Sequence, residues 1–345
     1  MNAPFPSPAA GQFGRRQRRE RGPRIPVTIV TGFLGAGKTT LLRRFLTTQE
    51  GHGTAVIVNE FGAVGIDDKL LRSSADETVL LGNGCLCCNT RSDLQNALRR
   101  LVAERERGQV PDFRRIVIET SGLADPSPIL QTFATDRALG SEFHVEVVAT
   151  VVDAMNGLAA LEQLAEARKQ AILADRLIVT KTDLADASMT AALSTKLREL
   201  NPHASIEVAI DGVLDPRLLV EQNAASQNQH HGFVSEAAHS DGISSFVMGD
   251  TAPVAWNVFA RAMETLIALR GTDLLRVKGL LNVEGCRGPI VVQFVQHLAH
   301  PPVELENWPD NERASRVVFI TRNITEQSVR DLFAAVQGLA SEPLR

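Results

Sequence analysis

Three of the chain's four cysteines stand within four positions, Cys85, Cys87 and Cys88 in "GNGCLCCNTRSDL". Thiolates at i, i+2 and i+3 converge on one ion only where the backbone turns sharply, and Gly82, Asn83 and Gly84 are residue types that turn readily. Soft sulfur donors favour Zn²⁺ or Cu⁺ over Mg²⁺, with Co²⁺ and Ni²⁺ also suited. Three thiolates leave the fourth tetrahedral position open. A donor of metal needs that opening, because a closed structural site holds its ion with about 10–16 kcal/mol of folding energy. A structural zinc knot, plain packing and a redox dithiol are the competing roles. The adjacency of Cys87 and Cys88 strains any disulfide between them. Cys286, in "VEGCRGP", reads as a small apolar residue or a surface thiol.

A second set of residues suits phosphate. "PVTIVTGFLGAGKTTLLRRFL" runs from a β-branched strand through Gly32, Gly35, Ala36, Gly37, Lys38, Thr39 and Thr40 into a helix whose Leu41, Leu42, Phe45 and Leu46 share a face. This is G-x-x-x-x-G-K-[ST] in its strand-to-helix setting. The glycines let backbone N–H groups approach phosphate oxygens at the positive end of the helix. Lys38 is placed for the β- and γ-phosphates and the Thr39 hydroxyl for Mg²⁺.

Two later strand ends complete a nucleotide site. "FRRIVIETSGLADP" predicts a buried strand ending in Glu119, an acid on the metal side, followed by Gly122, a glycine suited to sensing the γ-phosphate. Glutamate in place of the usual aspartate suggests contact to Mg²⁺ through water. "DRLIVTKTDL" ends in Thr180, Lys181 and Asp183, one position away from the N-K-x-D that reads guanine. The Asp183 carboxylate can accept from both N1–H and the exocyclic amine of guanine, and adenine offers no such pair of donors. GTP is therefore the expected nucleotide. Threonine at 180 is expected to lose the polar link that asparagine makes to the phosphate loop.

The elements that must position these groups are those of an ordinary globular protein. The 345 residues are 44% apolar and 22% charged, enough for about two domains. Residues 1–24 carry six Arg against one Glu, a charge of +5 that leaves −9 on the remainder of a chain whose formal charge is −4. An acidic body argues against nucleic acid as the main partner. No apolar run is long enough for a membrane span, and clustered thiols suit a reducing cytoplasm. The Pro- and Arg-rich segment 1–24 reads as a disordered basic tail. Strands and helices then alternate through residues 25–221, which predicts an α/β domain with a mostly parallel sheet. A polar linker over 222–243 carries His230, His231 and His239, either solvated or an accessory metal-capturing stretch. Residues 244–345 predict a smaller α+β domain whose sheet has one covered face.

The ordered series GFLGAGKTT, VNEFGAVGIDD, LGNGCLCC, IVIETSGLADP, VVDA and TKTD resembles the CobW-type GTPases. These are a branch of the metallochaperone GTPase family that includes the nickel-insertion proteins for hydrogenase and urease. The resemblance spans nearly all of residues 25–340 and implies a P-loop NTPase domain with a CobW-type C-terminal domain. It implies that Cys85, Cys87 and Cys88 are the metal site between two nucleotide-sensing switches, zinc foremost. It also assigns Glu60 and Asp67 to the first switch, Glu60 as a further or transient metal ligand and Asp67 on the Mg²⁺ side; solvated loop acids are the alternative for both.

A GTP-hydrolysing metallochaperone that passes metal to a client metalloprotein follows from these expectations, with Lys38, Glu119 and Gly122 in the catalytic roles. A metal-storage or metal-sensing protein using GTP as a structural ligand, and a small-molecule kinase on the same phosphate loop, are the alternatives. The client and any homo-oligomer are left open by the residues.

Overall fold

The computed structural model describes residues 14–15, 24–59, 79–81, 91–221, 237–238, 243–295, 298–308 and 313–341. Two compact units divide the chain, Arg24–His230 and His231–Arg345 with Met1–Pro23. Among the described residues no helix is long and apolar enough to cross a membrane.

The first unit alternates strand and helix. Its strands are β1 (Ile25–Thr31), β2 (Thr54–Asn59), β3 (Val79–Leu81), β4 (Arg115–Thr120), β5 (Phe143–Asp153), β6 (Arg176–Thr180) and β7 (Ser205–Ala209). Its helices are α1 (Lys38–Leu46), α2 (Arg91–Glu106), α3 (Ser127–Thr135), α4 (Arg137–Glu142), α5 (Gly157–Gln163), α6 (Ala165–Ile172) and α7 (Ala187–Leu200). The seven strands form one sheet in the order β3-β2-β4-β1-β5-β6-β7, every pairing parallel.

Parallel strands covered on both faces read as continuous apolar runs, and β1 and β4 do so here. Val30, Val56, Val117, Ala149 and Ile178 cluster with Leu41, Leu42 and Phe45 of α1. The alternate residues Ile29, Ile57, Ile118 and Val148 are buried as well, so the other face is also covered. Each fully buried Leu or Phe of α1 contributes about 1.5–3 kcal/mol. The strand order reverses at β1, between β4 and β5, and in open α/β sheets ligands bind beyond the carboxyl ends of the strands at such a point.

The second unit has β8 (Ile243–Asp250), α8 (Trp256–Arg270), β9 (Leu274–Leu281), β10 (Ile290–Val295), β11 (Ser315–Arg322) and α9 (Glu326–Ser341). The four long strands pair antiparallel in the order β10-β9-β11-β8. Phe246, Val277, Phe294 and Phe319 face Phe259 and Met263 of α8, and Phe246 stacks on Phe319 with ring centroids 5.4 Å apart. The expectation of one covered face needs correction at one end of the sheet. The register sets Ser245, Ile320, Arg276 and Val295 in a row on the opposite face, and all four are buried. Polar side chains alternating with Phe and Val mimic a solvated face in sequence.

Short strands edge this sheet. Gly14–Arg15, inside the stretch read as a disordered tail, pairs in parallel with Val303–Glu304. Ala237–Ala238, inside the stretch read as a linker, pairs with Ser244 and Ser245. The remaining residues of 1–23 and of 222–242, with His230, His231 and His239, lie outside the described residues.

Candidate functional site

The phosphate loop joins β1 to α1 and is shaped by its main chain. Gly32 has φ 139°, and a Cβ there would lie 2.1 Å from the Val151 carbonyl oxygen, so no other residue fits. Gly35 and Gly37 also have positive φ, and Gly37 caps α1. Lys38 Nζ donates to Gly32 O at 2.9 Å and Phe33 O at 3.2 Å, which lays a buried ammonium across the loop. The loop thus presents a cation and a helix N-terminus in one concavity, the arrangement that binds polyphosphate.

Beside it, Thr39 Oγ1 donates to Glu119 Oε1 at 2.8 Å. Glu119 ends β4 and is 4% exposed. Next to it the Thr120 hydroxyl donates to Thr31 Oγ1 at 2.8 Å, pinning the strand ends together. A hydroxyl and a buried carboxylate are the hard oxygen donors that suit Mg²⁺, so these residues fit that ion. Gly122 follows within a turn closed by Ala124 N–H donating to Ser121 O at 3.0 Å. A Cβ on Gly122 would lie 2.6 Å from Leu34 N, so the turn stands directly against the phosphate loop.

On the base side, Thr180 departs from the sequence expectation. Its hydroxyl donates to Ala36 O at 2.7 Å, so the link to the phosphate loop is kept. Gly37 packs against this side chain, and its φ of 94° is the left-handed conformation that glycine accepts without strain. Lys181 adopts φ 56° and its Nζ binds Asp153 Oδ2 at 2.6 Å, while Asp183 is exposed at the same strand end. Asp153 also accepts from Met155 N at 2.7 Å and Asn156 Nδ2 at 3.1 Å. Burial pushes the Asp153 carboxyl up, but the hydrogen bonds from Lys181, Asn156 and Met155 outweigh it and hold the group below the usual carboxylate range.

Sequence reasoning missed the loop after β7. Asp211 and Gly212 have positive φ, Arg44 Nε donates to Asp211 O at 3.2 Å, and a Cβ on Gly212 would meet Thr40 O at 2.8 Å. The D-G pair after a strand was the available signal.

Glu60, Asp67, Cys85, Cys87 and Cys88 lie outside the described residues. β2 ends at Asn59, paired with Thr120, and β3 ends at Leu81, paired with Ile57. Because all strands run parallel, β2 and β3 end on the side of the sheet from which the phosphate loop leaves β1. Among the described residues no group of three or more His, Cys, Asp or Glu could hold a metal. Cys286 is half-buried against the C-terminal core.

Comparison with known proteins matches residues 26–207 to the CobW/HypB/UreG nucleotide-binding domain and 243–337 to the cobalamin synthesis protein cobW C-terminal domain. The chain is 36% identical over 320 residues to the zinc chaperone YjiA of Escherichia coli, covering 91% of this chain and 99% of that one. It is 32% identical to the zinc chaperone CobW of Pseudomonas aeruginosa, covering 89% and 90%. The crystal structure of Zn(II)-bound YjiA GTPase superimposes with a TM-score of 0.66 at 31% identity, covering 91% and 99%.

Proposed function

This chain belongs to the CobW/HypB/UreG family and is a GTPase, and from that premise we propose that it is a zinc metallochaperone whose cysteine stretch loads and releases metal in step with GTP. Two relatives are named zinc chaperones, which makes Zn²⁺ the cargo of choice. Cys85, Cys87 and Cys88 are its ligands in this proposal, with Glu60 as a fourth or transient one, and a client metalloprotein in the cytoplasm receives it.

The observation that carries the reading is topological. β2, β3 and β4 end at Asn59, Leu81 and Thr120 on the side of the sheet where the phosphate loop leaves β1, and Thr39 of that loop bonds Glu119 of β4. The chain that continues from β2 and the turn after β4 are in this proposal the parts that respond to the terminal phosphate.

Lys38 draws the phosphates onto the loop, and Gly122 stands where a γ-phosphate would reach it. Thr39, with Glu119 behind it and Asp67 from the first switch, would hold Mg²⁺, which neutralises phosphate charge when bound. Thr180, Lys181 and Asp183 orient the base. GTP alters zinc affinity only through its differential affinity for two arrangements, typically about 1–3 kcal/mol or 5- to 150-fold, and zinc must alter nucleotide affinity by the same factor.

GTP turnover across Zn²⁺, Co²⁺ and Ni²⁺, in the wild type and in Cys87→Ser, tests the reading. Zinc is expected to change the rate in the wild type and to lose both binding and effect in the variant. Tight zinc binding with an unchanged rate would make the protein a store or sensor instead.

A further inference from the structure

One side chain holds the turn that carries Gly122. Gln170, on α6 and 1% exposed, donates from Nε2 to Gly122 O at 3.2 Å and to Ala124 O at 3.0 Å. Its own main-chain carbonyl accepts from Thr150 Oγ1 at 2.6 Å, which anchors α6 to β5. Beside it, Lys169 Nζ reaches Asp125 Oδ2 at 3.2 Å. On its other side the turn abuts Leu34 of the phosphate loop. Gly122 is therefore clamped between the loop that receives phosphate and a helix on the far side of the turn.

The chemistry of the clamp is specific. Two carbonyl oxygens converge on one nitrogen, and a primary amide supplies two N–H donors from a single atom. A carboxylate has none to give, and an apolar side chain would leave both carbonyls without them.

The geometry points to Gln170 as the positioning residue of the γ-phosphate sensor, acting through the Gly122 turn without touching nucleotide. GDP and GTP differ only in the γ-phosphate, the group this reading assigns to the Gly122 turn. Fixing two of its carbonyls sets where its backbone N–H groups can stand, so Gln170 governs discrimination of GTP from GDP and the rate of turnover. The inference rests on the GTPase reading, which turnover by the unaltered chain tests separately.

The test uses the full chain with Gln170→Met, similar in length but without donors, and Gln170→Glu. Affinities for GDP and for a non-hydrolysable GTP analogue are measured together with kcat and thermal melting. In Gln170→Met, GDP affinity should stay within about 2-fold while analogue affinity and kcat each fall by about 10-fold. Gln170→Glu should recover part of the loss as pH falls, because the protonated carboxyl offers one O–H donor. Equal weakening of both nucleotides would mark Gln170 as merely structural and overturn the inference. So would a folded Gln170→Met with wild-type kcat and an unchanged analogue-to-GDP ratio, or a Gln170→Glu that shows no pH-dependent recovery.

Discussion

The Thr180 hydroxyl donates to the Ala36 carbonyl at 2.7 Å and so ties the end of β6 to the phosphate loop. Ala36 and Thr180 are both buried, so the bond is shielded from water. The two segments proposed to hold base and phosphates thereby share one buried seam.

Replacing Thr180 with valine keeps the shape and removes the donor. Leaving a buried carbonyl without its partner costs about 1–3 kcal/mol. At about 2–4 °C per kcal/mol for a unit of this size, the melting temperature should fall measurably. GTP and GDP affinities should weaken together, since the seam serves both. An unchanged melting curve would mean that the bond contributes nothing.

Glu119→Gln preserves an acceptor for Thr39 and removes the charge beside it. Single-turnover hydrolysis should slow on the order of 10²-fold, the usual scale for losing a charge-stabilising group. Binding of GDP without Mg²⁺ should be unaffected. If Mg²⁺ still accelerates the variant as it does the wild type, Glu119 is not on the metal side.

Asp183→Asn reverses half of the donor-acceptor pattern at the base. The amide can still accept from N1–H but meets the guanine amine with its own donors. GTP affinity should fall by about 10- to 100-fold, the loss of one or two charge-assisted hydrogen bonds. Xanthosine triphosphate, with a carbonyl in place of that amine, should bind the variant better than GTP does. Nucleotide competition measures both, and a variant that keeps its GTP preference would remove Asp183 from the site.

The depressed Asp153 carboxyl gives a pH dependence of definite sign. A group whose pKa is lower folded than unfolded adds stability that is fully present above the unfolded value of about 3.9 and is lost as pH falls through the folded one. The melting gap between wild type and Asp153→Asn should hold steady from about pH 7 to 5 and shrink below about pH 4. A gap undiminished at about pH 3 would place its origin elsewhere than the Lys181–Asp153 pair.

The parallel sheet and the phosphate loop were legible because their signals are local. A β-branched run, glycines at fixed offsets and an apolar helical face all lie within residues 25–46. Contacts set by approach rather than by pattern were not legible. Thr180 meets Ala36 from across the sheet, and Gln170 meets Gly122 from 48 residues away with no flanking cue. The buried row on the second face of the C-terminal sheet was hidden for a similar reason, since Ser245 and Arg276 carry the residue types of a solvated surface.

Gly32 presses on the Val151 carbonyl and Gly122 on the Leu34 amide, so the phosphate grip is wedged main chain to main chain. Such a wedge is indifferent to most changes in neighbouring side chains. Side chains around the loop can therefore drift over evolutionary time while the main-chain shape of the GTPase loop stays as it is.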